Sequence, residues 1–170
     1  MVLEIQLKDE KFNDLLELFL SSGESTRLRL ARHVLSRDGA SLEILLSLFD
    51  LVDRQRWHDF SLYNLKPRLG DYAGEPKLYV KLSTTLESQN DMQKSVALKV
   101  LTEIGNREVV PLVFPYLACS TPWIGWPAIE LVTALATKED WLAVGKRADW
   151  KRNSNEHMKS KLEKGIALHT

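Results

Sequence analysis

Apolar residues recur along this chain at three- and four-residue intervals. Leu15, Leu16, Phe19 and Leu20 form one such group, and Leu28, Ala31, Val34 and Leu35 form another. At 3.6 residues per turn these positions share one stripe, so each group predicts an amphipathic helix. The nearest approach to strand-like alternation is Lys77-Leu78-Tyr79-Val80-Lys81-Leu82, which continues as Thr85-Leu86 and reads better as a helix opened by Pro76. Residues 71–76 carry both Gly74 and Pro76 and predict the clearest turn.

Helix-end chemistry sharpens the boundaries. Asn90-Asp91 supplies an N-cap ahead of Met92–Ile104, and Gly105 stands where a left-handed C-cap is expected. Thr121-Pro122 is an N-cap followed by proline in the first turn, where its missing donor does no harm. Thr137-Lys138-Glu139-Asp140 resembles a capping box with Asp in place of Glu. The pattern predicts helices near 9–21, 25–37, 41–52, 57–66, 76–88, 91–104, 107–118, 122–136, 138–147 and 155–168. Pro111, Pro115 and Pro127 fall inside helical patterns and predict kinks or breaks there.

Short helices joined by short loops invite a search for an internal period. Ala31-Arg32-His33-Val34-Leu35-Ser36 aligns with Ala97-Leu98-Lys99-Val100-Leu101-Thr102, and the match extends from Gly39 to Gly105. Ala128-Ile129-Glu130-Leu131-Val132-Thr133 repeats it, with Ala136 at the glycine position. A further unit fits loosely through Ser61, Leu65 and Gly70, with one residue inserted. A helical pair cannot hide its apolar face alone, so neighbouring pairs stack into one core, and a small residue lets them approach closely.

These residues resemble HEAT repeats, most clearly over 76–136 and more weakly over 25–70. Ser95–Gly105 is similar to the second helix of that repeat, and Val109-Val110-Pro111-Leu112 to the opening of the next first helix. The family's usual Asp and Arg between helices are mostly absent, Asn90-Asp91 being the nearest echo. The fold expected is all-α, one domain over 1–170: an α-solenoid of about four to five stacked antiparallel helix pairs.

Composition narrows the function. In 170 residues, 23 Lys plus Arg balance 23 Asp plus Glu, so no global field draws the chain to nucleic acid or anionic lipid. Residues 1–25 carry a balance of −4 and residues 146–170 one of +4, which suits solvated end caps. One cysteine, Cys119, precludes an internal disulfide and fits a reducing compartment. Acids interrupt the N-terminal residues that a secretory signal would need apolar, and no run reaches the ~20 residues of a membrane span. A cytoplasmic protein without a membrane contact is expected.

Candidate chemistry is sparse. His33, His58, His157 and His169 show no metal-ligand spacing with one another or with Cys119, so no metal and no cofactor is expected. Trp57-His58-Asp59 is suggestive, but adjacent helical residues point different ways, which favours a structural His58. Cys119 has no His or Lys beside it to activate its thiol. The glycine-bearing turns at 21–25 and 70–74 lack the Lys and spacing of a phosphate loop. No enzyme is expected.

With Leu28, Ala31 and Leu35 inward, Arg29, Arg32, His33 and Ser36 face out. The equivalent outward column holds Ser95, Lys99 and Thr102, then Trp126, Glu130 and Thr133, with Trp123 one turn before Trp126. The HEAT resemblance implies that these second helices line a concave, partner-binding face. The sequence therefore selects Arg29, Arg32, Lys99, Trp123, Trp126 and Glu130 as partner-binding residues, Trp and Arg being the commonest interface anchors. Both tryptophans could instead pack into the core, as Trp141 is expected to. The leading expectation is a non-enzymatic protein-binding module: an adaptor, an assembly chaperone or a stoichiometric inhibitor of the immunity type. HEAT-like folds also occur in DNA glycosylases and serve bilin attachment, which leaves nucleic-acid binding with a repair role, and an accessory subunit of a bilin lyase, as alternatives. Oligomeric state is not readable from the sequence.

Overall fold

The computed structural model describes residues 21–35, 40–53 and 55–169. Residues 9–20 of the first predicted helix, with Ser36 and Gly39, lie outside them. The described residues form helices joined by short turns, without a strand. The helices are α1 (Glu24–Leu35), α2 (Leu42–Asp50), α3 (Gln55–Phe60, continued by Ser61–Leu65 and Lys66–Gly70) and α4 (Pro76–Leu86). Then follow α5 (Asp91–Ile104), α6 (Arg107–Val109, Val110–Val113 and Phe114–Ala118), α7 (Pro122–Leu135), α8 (Lys138–Lys146) and α9 (Glu156–His169). A short 3₁₀ turn, Trp150–Arg152, precedes α9.

Local chemistry accounts for most of the boundaries. The Asn90 side chain accepts the Gln93 amide at 3.0 Å and so caps α5. Gly105, at φ 71°, ends that helix in the left-handed region that only glycine enters without strain. Thr137 and Asp140 complete a reciprocal capping box at α8. Thr121 stands at the N-cap of α7 as expected, although its side chain makes no capping bond.

The prolines divide in their effect. Pro111 and Pro115 break α6 into alternating 3₁₀ and α turns. Pro127 does not break α7, which continues through it from Pro122 to Leu135. A proline costs one main-chain hydrogen bond, and burial of Ile124, Ala128, Ile129, Leu131 and Val132 holds the helix across that gap.

The loosely matching repeat unit is explained by α3. Ser61–Leu65 is a π-helical turn, wider than an α turn by one residue. That turn absorbs the residue that sets Gly70 nine positions beyond Ser61, against eight from Ala97 to Gly105. The Asn64 side chain donates to the Phe60 carbonyl at 2.9 Å, serving an acceptor within the widened turn.

Packing follows chain order. α1 touches α3 at the π turn, α3 packs on α5, α5 on α7 and α7 on α9. α2 packs on α3 and α4, α4 on α5, α6 on α7 and α8 on α9. At the centres of α1, α3, α5 and α7 stand Ala31, Ser61, Ala97 and Ala128, all buried. One hydrophobic core runs from Leu28 to Leu162. Polar ties cross it at the edges. Asn90 Nδ2 reaches the Val52 carbonyl at 2.8 Å, and Asn153 Nδ2 reaches the carbonyls of Leu117 and Cys119, each at 3.1 Å. Gly125 is a close approach: a Cβ there would lie 2.4 Å from the Cys119 carbonyl oxygen and 2.7 Å from Met158 Sδ.

Candidate functional site

The helices α1, α3, α5 and α7 expose a common face. His58 meets Ser95 and Lys66 meets Glu103, eight residues on in each chain segment, so α3 and α5 run parallel. Lys99 Nζ lies 3.2 Å from Glu130 Oε2 and links α5 to α7 in the same way. Across this face lie two open depressions. One, of about 840 Å³, is lined by Leu28, Arg29, Arg32, Asp59, Phe60, Tyr63 and Asn64. The other, of about 630 Å³, includes Leu62, Tyr63, Lys66, Lys99, Glu103 and Glu130.

Tyr63 is the wall that both depressions share. The residue is 82% exposed and lies on the π turn of α3. An exposed aromatic beside arginines is the combination that anchors protein interfaces. Sequence reasoning missed Tyr63. The signal was the inserted residue in the second repeat unit, because that insertion forms the turn which presents the ring.

Four of the six residues selected from sequence line these depressions: Arg29 and Arg32 in the first, Lys99 and Glu130 in the second. Arg29 and Arg32 are exposed, three residues apart on α1. Arg29 Nη2 lies 3.5 Å from the Thr26 hydroxyl, and among the described residues neither guanidinium forms an ion pair. Trp123 is 42% exposed and sets its ring 5.1 Å from His58, edge to face. Trp126 is half-buried against the core, and neither tryptophan lines the depressions. Trp141 is buried as expected.

One outward assignment is corrected. Ser95 is fully buried, because α3 lies over it and His58 Nε2 is 2.8 Å from its Oγ. His58 is itself buried, with Nδ1 3.4 Å from Asp59 Oδ1. The neutral ring satisfies both neighbours if Nδ1–H donates to Asp59 and Ser95 Oγ–H donates to Nε2. Burial pushes the His58 pKa below its ordinary value, opposed by the hydrogen bond and charge of Asp59 and assisted by the charge of Lys99. Serine, histidine and aspartate thus stand in a line, but the serine is enclosed and its hydroxyl is closed to a substrate. The trio works as a polar tie between α3 and α5.

Among the described residues, no three His, Cys, Asp or Glu side chains converge closely enough to hold a metal ion. No described helix is long and apolar enough to cross a membrane. The fold and face define an all-helical protein with an open, mixed-charge groove centred on one aromatic ring. No family profile, curated protein or solved structure matches the chain.

Proposed function

We propose that this chain is a non-enzymatic, HEAT-like α-solenoid that holds a partner protein along the face of α1, α3, α5 and α7. The repeat of small residues at 31, 61, 97 and 128, all buried between successive helices, supports the solenoid. The observation that carries the binding role is Tyr63, left 82% exposed between two depressions that also hold Arg29, Arg32, Lys99 and Glu130. A large aromatic at the centre of an open groove leaves apolar area uncovered, and a partner's side chains would bury it. The depressions are open on one side, whereas sites for small molecules enclose most of the ligand. Adaptors, assembly chaperones and stoichiometric inhibitors all fit such a face.

Affinity purification of the tagged full chain from its host extract, with and without nuclease, tests the reading. One protein recovered near stoichiometry in both samples, and lost on combining Tyr63→Ala with Arg32→Glu while the thermal melt is kept, is the expected result. Recovery that depends on nucleic acid, or a stoichiometric partner indifferent to those substitutions, would overturn it.

A further inference from the structure

We propose that the groove takes an acidic segment of the partner, with two carboxylates on Arg29 and Arg32 and an apolar side chain against Tyr63. This rests on the protein-binding reading above and adds the chemistry of the ligand. The charges of the groove are unevenly spent. Lys66 is engaged by Glu103 and Lys99 by Glu130, each pair bridging neighbouring helices. Asp59 stands against the His58 ring. Arg29 and Arg32 form no ion pair with a described residue, so the α1 side of the groove holds two cations against one carboxylate, Asp59.

The geometry suits carboxylates. Residues three apart on a helix share a face, so both guanidinium groups reach over the same depression. Each presents a planar fork of donors that matches a carboxylate bidentately. Phe60, nearly buried, and Tyr63, exposed, supply the apolar floor and wall beside them. An acidic residue flanked by a large apolar one meets both features in a single short segment.

A polynucleotide fits less well. Its backbone carries a negative charge at every nucleotide and would run on from the arginines into the depression of Glu103 and Glu130. A peptide places its charges only where the arginines are.

The test is selection of a random short-peptide library on the immobilised full chain, followed by fluorescence anisotropy with the enriched peptides. A labelled single-stranded DNA oligonucleotide serves as the second probe. Enriched peptides are expected to pair Asp or Glu with a large apolar residue. Their Kd should rise on the order of tenfold or more in Arg29→Glu/Arg32→Glu and about tenfold in Tyr63→Ala. Arg29→Gln/Arg32→Gln should weaken binding in the same direction, and the melts of all three variants should match the parent. Enrichment without acids, no enrichment, or acidic peptides unmoved by the arginine variants would overturn the acidic-segment inference. A stoichiometric partner lost on the groove substitutions would leave the binding reading standing in each of those cases. Tight oligonucleotide binding that is lost in Arg29→Glu/Arg32→Glu, without peptide enrichment, would overturn both.

Discussion

Ser61 occupies the place that alanine holds in the other repeat units, and its hydroxyl is buried without a hydrogen-bond partner among the described residues. A buried unsatisfied hydroxyl costs ~1–3 kcal/mol. Ser61→Ala is therefore expected to stabilise the protein by about 1 kcal/mol, raising Tm by roughly 2–4 °C, as a calorimetric melt would read. His58 gives a second prediction at this scale. Its folded pKa lies below the ordinary 6.5, so the unfolded chain binds more protons as pH falls. The stability that neutral His58 contributes is whole above pH 6.5 and is lost as pH falls from there toward the folded pKa. Thermal melts at about pH 7.5 and about pH 5.5 should show a larger drop in the parent than in His58→Gln. An equal drop in both would remove His58 as the cause.

Among the elements, the caps were the most legible features. Asn90, Gly105, Thr137 and Asp140 could be assigned from residue type alone, since capping is a bond between a side chain and the next turn. Asn90 does more than its position in sequence revealed. Besides capping α5 it donates to the Val52 carbonyl, a bond between segments 38 residues apart. Asn90→Ala should accordingly cost about 2 kcal/mol, and Thr137→Ala, which loses a cap alone, about 1 kcal/mol. Urea denaturation of the two variants side by side would check the order. The π turn of α3 was legible only as one residue too many. Which turn would widen depended on how α3 lies between α1, α2 and α5.

For the whole molecule, the decisive feature is the close stacking of α3, α5 and α7 on small side chains. Ala97 is completely buried on α5, a helix packed against α3, α4 and α7. Ala97→Leu forces added volume into this packed layer and is expected to cost about 3 kcal/mol, lowering Tm by roughly 6–12 °C. Lys99→Ala, two residues away on the same helix, removes a partly exposed ion pair and should change stability by less than ~1 kcal/mol. A thermal melt of each variant separates the two kinds of position. The candidate site obeys the same logic. Arg29, Arg32, Lys99 and Glu130 were legible because they lie on the polar side of strongly periodic helices. Ser95 was assigned to the same column and is buried, and Tyr63 was not selected and dominates the groove.

The sequence by itself determined the all-helical character, nearly all the described helix boundaries, and the small residues at 31, 97 and 128 on which the helices meet. Those properties arise from side-chain period, capping and turn chemistry, which act over a few residues. Tertiary structure alone decided that Ser95 closes onto His58, that Pro127 is carried through an unbroken helix, and that Lys66 and Lys99 spend their charge on Glu103 and Glu130. It also decided that Tyr63 stands open between the two depressions. Periodicity assigns a residue to a face of its own helix, but whether that face is covered depends on the helix packed beside it. That neighbour is set by contacts between segments some thirty residues apart.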